Sequence, residues 1–219
     1  MATYDEWKDK YGLLNPERGT PTENAILVTL EYQLLAGEIP AYTVIKVMDY
    51  FQTPVRGLYT QTHYGKKADH GEEGLEPNSH DNITAMMVAF KLLGAEAESK
   101  VKNVWSYIVA NKGTYDFRHP NEVRWDRLLH PRDLIFYGYL AGNILCTLLL
   151  PLLIPMMLHS CLKPREVTSG KLLWWVRCHC LPKPFFWLFH KLVDYKEAFR
   201  IYFHQEGHPI TELLKEETK

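Results

Sequence analysis

The chain has 219 residues, 46% hydrophobic and 23% charged, which suits one globular domain with a substantial core and excludes a disordered or fibrous chain. A formal net charge of −1 offers no general attraction to nucleic acid or acidic membranes. Cys146, Cys161, Cys178 and Cys180 all lie in apolar or aromatic stretches, the pattern of buried free thiols, and Cys178-His179-Cys180 lacks the further ligands a zinc site needs.

The opening Met1-Ala2-Thr3-Tyr4-Asp5-Glu6 is polar and acidic, unlike a signal peptide, so a cytoplasmic origin is expected. Residues 1–21 read as a polar arm with turn signals at Asn15-Pro16 and Thr20-Pro21. A helical domain over 22–204 and a tail over 205–219 follow. Thr22-Glu23-Asn24 opens a first helix over 23–36 that stops at Gly37. The second, over 42–52, has Val44, Ile45, Val47, Met48 and Phe51 as its apolar face. The irregular stretch 53–77 is longer than a passive connection, so it is functional or a docking arm.

Asn78-Ser79-His80-Asp81-Asn82 then caps a third helix, which carries apolar residues to a stop at Gly94. A fourth over 96–111 sets Val101, Val104, Trp105, Ile108 and Val109 on one side, before a second long loop over 112–130. Pro131-Arg132-Asp133 starts the fifth. Residues 134–158 hold no charge and are numerous enough to cross a bilayer, but Gly142-Asn143, Pro151 and Pro155 interrupt them. They read instead as two buried helices joined by a tight turn, the second over 144–162. Ser169 opens a seventh helix that ends before Pro182, and a last helical region covers 184–204.

The helices repeat in pairs. Glu23 and Asp81, at equivalent helix starts, are 58 positions apart; the loops Gly57-Leu58-Tyr59 to His63 and Gly113-Thr114-Tyr115 to His119, both Gly-x-Tyr-x-x-x-His, are 56 apart. Later units drift to spacings of 52 and 37. The fold expected is all-α, an incomplete α/α toroid of about four helix hairpins with long loops at one end. In such an array Asn24, His80, Asp81, Asn82, Arg132 and Asp133 gather near Tyr59, His63, Tyr115, Arg118, His119 and His130. Helix N-termini there favour an anionic ligand.

Each residue also has a plain role. Asp81 and Asp133 suit helix capping, and Asn24 and Asn82 face either the end cavity or a neighbouring hairpin. Gly57 and Gly113 suit left-handed backbone, and Tyr59 and Tyr115 can cover the core while hydrogen-bonding outward. If the protein is an enzyme, Tyr59, His80, Tyr115, Arg118 and His119 are its catalytic candidates, suited to proton abstraction from a sugar acid. Asn24, His63, Asp81, Asn82, Trp125, His130, Arg132 and Asp133 are binding candidates. Arg124-Trp125-Asp126-Arg127 fits an interface hot spot or local packing. Trp174-Trp175 and Phe185-Phe186-Trp187 fit a core. His204 and His208 flank Glu206 without a third ligand at metal spacing, so no metal or cofactor is expected.

The hairpin array, with Ser79-His80-Asp81-Asn82 before an apolar helix, resembles the α/α-toroid proteins, which include many polysaccharide lyases and glycoside hydrolases. That resemblance covers 23–204 and implies a glycan-active site at one end. Four hairpins fall short of the closed six-hairpin ring it implies for many of them, leaving an apolar edge for the arm, the tail or another subunit to cover. The chain is also similar to uncharacterised proteins of tailed bacteriophages. They share a Ser-x-Asp-Asn/Gln helix start, an Arg-Asp start such as Arg132-Asp133, and a Thr-Ser-Gly-Lys-Leu-Leu segment like that beginning at Thr168. That likeness implies no activity. The function expected is therefore a non-enzymatic binding or assembly component, virion- or tail-associated, with protein partners or copies of itself. A glycan-active toroid enzyme acting on an acidic glycan is the alternative, and a membrane anchor through 134–158 a weaker one. Neither nucleic acid nor a membrane is expected as a partner.

Overall fold

The computed structural model describes residues 41–60, 78, 80–115, 128–162 and 177–192. Among them are helices and turns, two isolated antiparallel bridges (Gln52 with Tyr59, Thr114 with Leu128) and no sheet. The chain is all-α over these residues. The expected N-terminal arm, first helix and C-terminal tail lie outside them, as do 61–63 and 116–119 of the two expected Gly-x-Tyr-x-x-x-His loops.

The described helices are α1 (Ala41–Asp49), α2 (His80–Leu92), α3 (Glu98–Ala110), α4 (Pro131–Leu140), α5 (Ile144–Leu149), α6 (Leu153–Leu162) and α7 (Lys183–Leu192). α2 organises the rest. Its sequence holds no charge between Asp81 and Lys91, and every residue from Asn82 to Phe90 is buried. A helix apolar on all sides has no face to give to water, so other helices must enclose it. α3 folds back on it after the 3-10 turn Gly94–Glu96, and α4 packs against it as well.

α3 is amphipathic, burying Val101, Val104, Tyr107 and Ile108. Val109, expected on that face, is exposed; Tyr107, three residues after Val104, lies nearer the centre of the apolar stripe. α1 buries Val44, Val47 and Met48 and ends sooner than the expected 52, because the chain turns into a knitted loop. There the Thr53 N–H donates to the Leu58 carbonyl at 2.9 Å and the Thr60 N–H to the Phe51 carbonyl at 2.8 Å. An ion pair between Asp49 and Lys100 ties α1 to α3.

The tight turn expected after α4 is present. Gly142 takes φ +81°, and the Asn143 side chain caps α5 by accepting from the Cys146 N–H at 3.0 Å. The expected burial of the second helix is not found. α5 has no buried residue, and the continuous helix expected over 144–162 is split by a 3-10 turn, Leu150–Leu152, centred on Pro151. Proline has no N–H for the helical ladder, and its ring clashes with the preceding turn, so the α-helix stops and restarts. Leu150 and Leu153 point inward while Ile144, Leu145, Leu148, Leu152 and Met156 remain 50–78% exposed. α7 packs against α6. Among the described residues, no helix is long and apolar enough to cross a membrane.

Candidate functional site

A buried polar cluster forms where the N-termini of α2 and α4 meet. His130 is the N-cap of α4, Pro131 opens it with the fixed φ that suits a first turn, and Asp133 follows in that turn. Asp133 does not cap its own helix. Its carboxylate is 1% exposed and crosses the core: Oδ1 accepts from the Arg177 guanidinium at 2.7 Å, and Oδ2 lies 3.4 Å from His80 Nδ1 at the start of α2. Arg132 Nε stands 3.8 Å from Oδ1. Burial pushes the Asp133 pKa up, but His80, Arg177 and Arg132 together outweigh it and hold the carboxyl below its ordinary value.

Hydrogen bonds extend the cluster in one direction. Arg177 also donates to Thr84 Oγ1 at 3.0 Å, and the Tyr137 hydroxyl donates to the His80 carbonyl at 3.2 Å. Tyr137 has only one proton to give, so in the 2.7 Å contact between the hydroxyls Thr84 is the donor. The Arg177 guanidinium stacks 5.7 Å from the Phe136 ring centre. One run of bonds therefore leads from Arg177 through Thr84 and Tyr137 back to the backbone of His80.

His80 and Arg132 face partly outward, with side chains 33% and 39% exposed, and the exposed His130 ring stands edge-on to His80 with centres 5.2 Å apart. At 3.4 Å, Asp133 Oδ2 lies beside His80 Nδ1 without forming a hydrogen bond, which places a carboxylate next to a half-buried imidazole, a pairing suited to acid–base work.

The tyrosines are placed differently from the expected outward-bonding lids. Tyr115 is buried, and its hydroxyl accepts from the Tyr59 N–H and donates to the Gly57 carbonyl, each at 2.9 Å. Burial raises the pKa of both phenols, and the Asp49 carboxylate adds to the effect at Tyr59. Asn78 donates to the Tyr59 carbonyl at 2.8 Å and accepts from the buried Asn82 at 3.3 Å, joining the first loop to α2. Two sets of contacts thus reach the first turn of α2: one joins Tyr115, Tyr59, Asn78 and Asn82, the other His130, His80, Asp133 and Arg132. Asp81 lies in the first turn of α2. Asn24, His63, Arg118, His119 and Trp125 lie outside the described residues, as do His204, Glu206 and His208.

Arg177, Thr84 and Tyr137 were not picked out from the sequence. The available signal was Arg177 itself, a charge after Leu172-Leu173-Trp174-Trp175-Val176 that must find a partner if buried. Among the described residues, no group of three or more His, Cys, Asp or Glu side chains could hold a metal ion. A cavity of about 500 Å³ lies at the other ends of these helices, lined by Phe90, Lys91, Gly94, Glu98 and Leu140. No family model matches this chain, and neither does any curated protein or solved structure.

Proposed function

We propose that this protein acts by binding, as a non-enzymatic component of a larger assembly that docks through the outer face of α5 and α6. The observation that carries this reading is the row of exposed Ile144, Leu145, Leu148, Leu152 and Met156. Large aliphatic side chains exposed along one stripe mark a surface that another body covers. An incomplete toroid of four hairpins, as the sequence repeat leads us to expect, fits this reading, since an unclosed array ends on apolar helices. A virion or tail role is the form suggested by the resemblance to phage proteins. Size-exclusion chromatography with light scattering tests the reading: mass above the monomer, reduced by the paired substitution Leu148→Glu, Leu152→Glu, is expected. A wild type that stays monomeric at every concentration removes it.

A second reading, a glycan-active enzyme, is favoured by the His80–Asp133 pair. Incubation with uronic-acid polymers should then raise ultraviolet absorbance through unsaturated products, and His80→Ala should abolish the rise. A broad panel without turnover sinks this version.

A further inference from the structure

Four buried polar side chains stand behind His80: Thr84, Asp133, Tyr137 and Arg177, none more than 6% exposed. Arg177 Nη2 carries two protons and gives one to Asp133 Oδ1 and the other to Thr84 Oγ1. Thr84 donates in turn to the Tyr137 hydroxyl, which donates to the His80 carbonyl. The circuit therefore reaches His80 from both sides. Tyr137 holds its backbone, and Asp133 Oδ2 lies 3.4 Å from its Nδ1. Every link is made except that last one, and Oδ2 is buried without a hydrogen-bond partner among the described residues.

Packing alone does not require such a circuit. Apolar side chains of similar volume would join α2, α4 and 177–181 without desolvating a guanidinium and a carboxylate, often with greater stability. A satisfied polar network fixes the groups it bonds more closely than apolar contact does. Here the unfinished bond falls at the partly exposed imidazole.

We infer that Arg177, Thr84 and Tyr137 are positioning residues for His80, holding its imidazole and the Asp133 carboxylate in register for proton transfer at Nε2. This rests on the second reading above, in which His80 does acid–base work, and names the residues that aim it. A proton passed from substrate to Nε2 leaves the substrate as its conjugate base and makes an imidazolium with N–H groups on both ring nitrogens. The Nδ1–H is then the donor that Oδ2 lacks, so the circuit closes as the proton arrives. The charged and titratable groups facing this ring are Asp133, Arg132 and Tyr137 on α4, Arg177 ahead of α7, and His130 edge-on to it.

Proton NMR of the full chain tests this, with His80→Gln assigning the resonance. As the solution is taken from about pH 8 to about pH 5.5, a downfield ring N–H proton of His80 is expected. It should exchange with water at least about tenfold more slowly than the ring protons of His130, as a charge-assisted bond to a buried oxygen requires. Tyr137→Phe and Thr84→Val should each remove most of that difference, whereas Thr84→Ser, which keeps the hydroxyl, should preserve it. Circular dichroism checks that the variants fold, and where one does not, the other decides. Absence of the slowed proton in the wild type overturns the inference, as does its persistence in a folded Tyr137→Phe or Thr84→Val. If the slowed proton is present but uronic-acid polymers are not turned over, the glycan substrate is removed and the positioning stands. Turnover without the slowed proton removes the positioning alone.

Discussion

Replacing Asp133 by asparagine leaves the Arg177 guanidinium charged in the core without the carboxylate now 2.7 Å away. Breaking a buried pair from one side costs about 3–5 kcal/mol, because the surviving charge keeps its desolvation penalty. Urea unfolding of Asp133→Asn should show a loss of that order, whereas Asp133→Leu combined with Arg177→Met should recover most of it. The pair also has a pH signature. Its carboxyl titrates lower in the folded state than in the unfolded chain. Its contribution is therefore complete above the ordinary carboxylate pKa and lost as pH falls through the depressed folded value. Unfolding midpoints should drop below about pH 4, and more steeply in the wild type than in Asp133→Asn. A flat wild-type profile over that range contradicts the assignment. Tyr115→Phe poses a similar question without charge: it strands the Tyr59 N–H and the Gly57 carbonyl, so a loss of about 1–3 kcal/mol is expected in the same assay.

Among the elements, the loop after α1 depends on one close approach. Gly57 has φ +84°, and a Cβ there would collide with the backbone carbonyl of Asn103 in α3. Gly94 has φ +71° with nothing near its Cβ position. Both alanine variants should suffer left-handed strain of about 1–2 kcal/mol, and Gly57→Ala should lose clearly more because a neighbouring helix must also shift. Equal thermal shifts for the two would discount the collision. α2, α3 and the turns at Gly94 and Gly142 were legible because apolar periodicity ends on glycine, a signal carried by adjacent residues. Gly57 and Gly113, paired in the sequence by their Gly-x-Tyr spacing, share φ +84°. The split at Pro151 was half legible: the proline marked a kink, but local sequence could not say that the following stretch remains outside the core. His80, Arg132 and Asp133 stood out as polar helix starts. Their connection to Arg177 was hidden because its bonds to Asp133 and Thr84 span 44 and 93 residues, distances over which periodicity carries no information.

Across the whole molecule, burial is uneven in a way that predicts where the fold opens first. α2 is enclosed by α3 and α4, and its N-terminus is tied to Tyr137 and Asp133, so its amides cannot reach water unless its neighbours separate. α5 has no buried residue, and Pro151 interrupts the ladder that would stiffen it. Opening free energies in one domain range from near zero at exposed segments to the full stability in the core. Hydrogen exchange read by mass spectrometry on protein diluted to the monomer should therefore find the amides of 82–90 exchanging only through global unfolding, with a denaturant dependence to match. Those of 144–149 should exchange through local opening that denaturant scarcely affects. Comparable protection of the two segments would mean that α5 is already covered in solution, and the exposed aliphatic stripe would then lie inside a self-assembled particle.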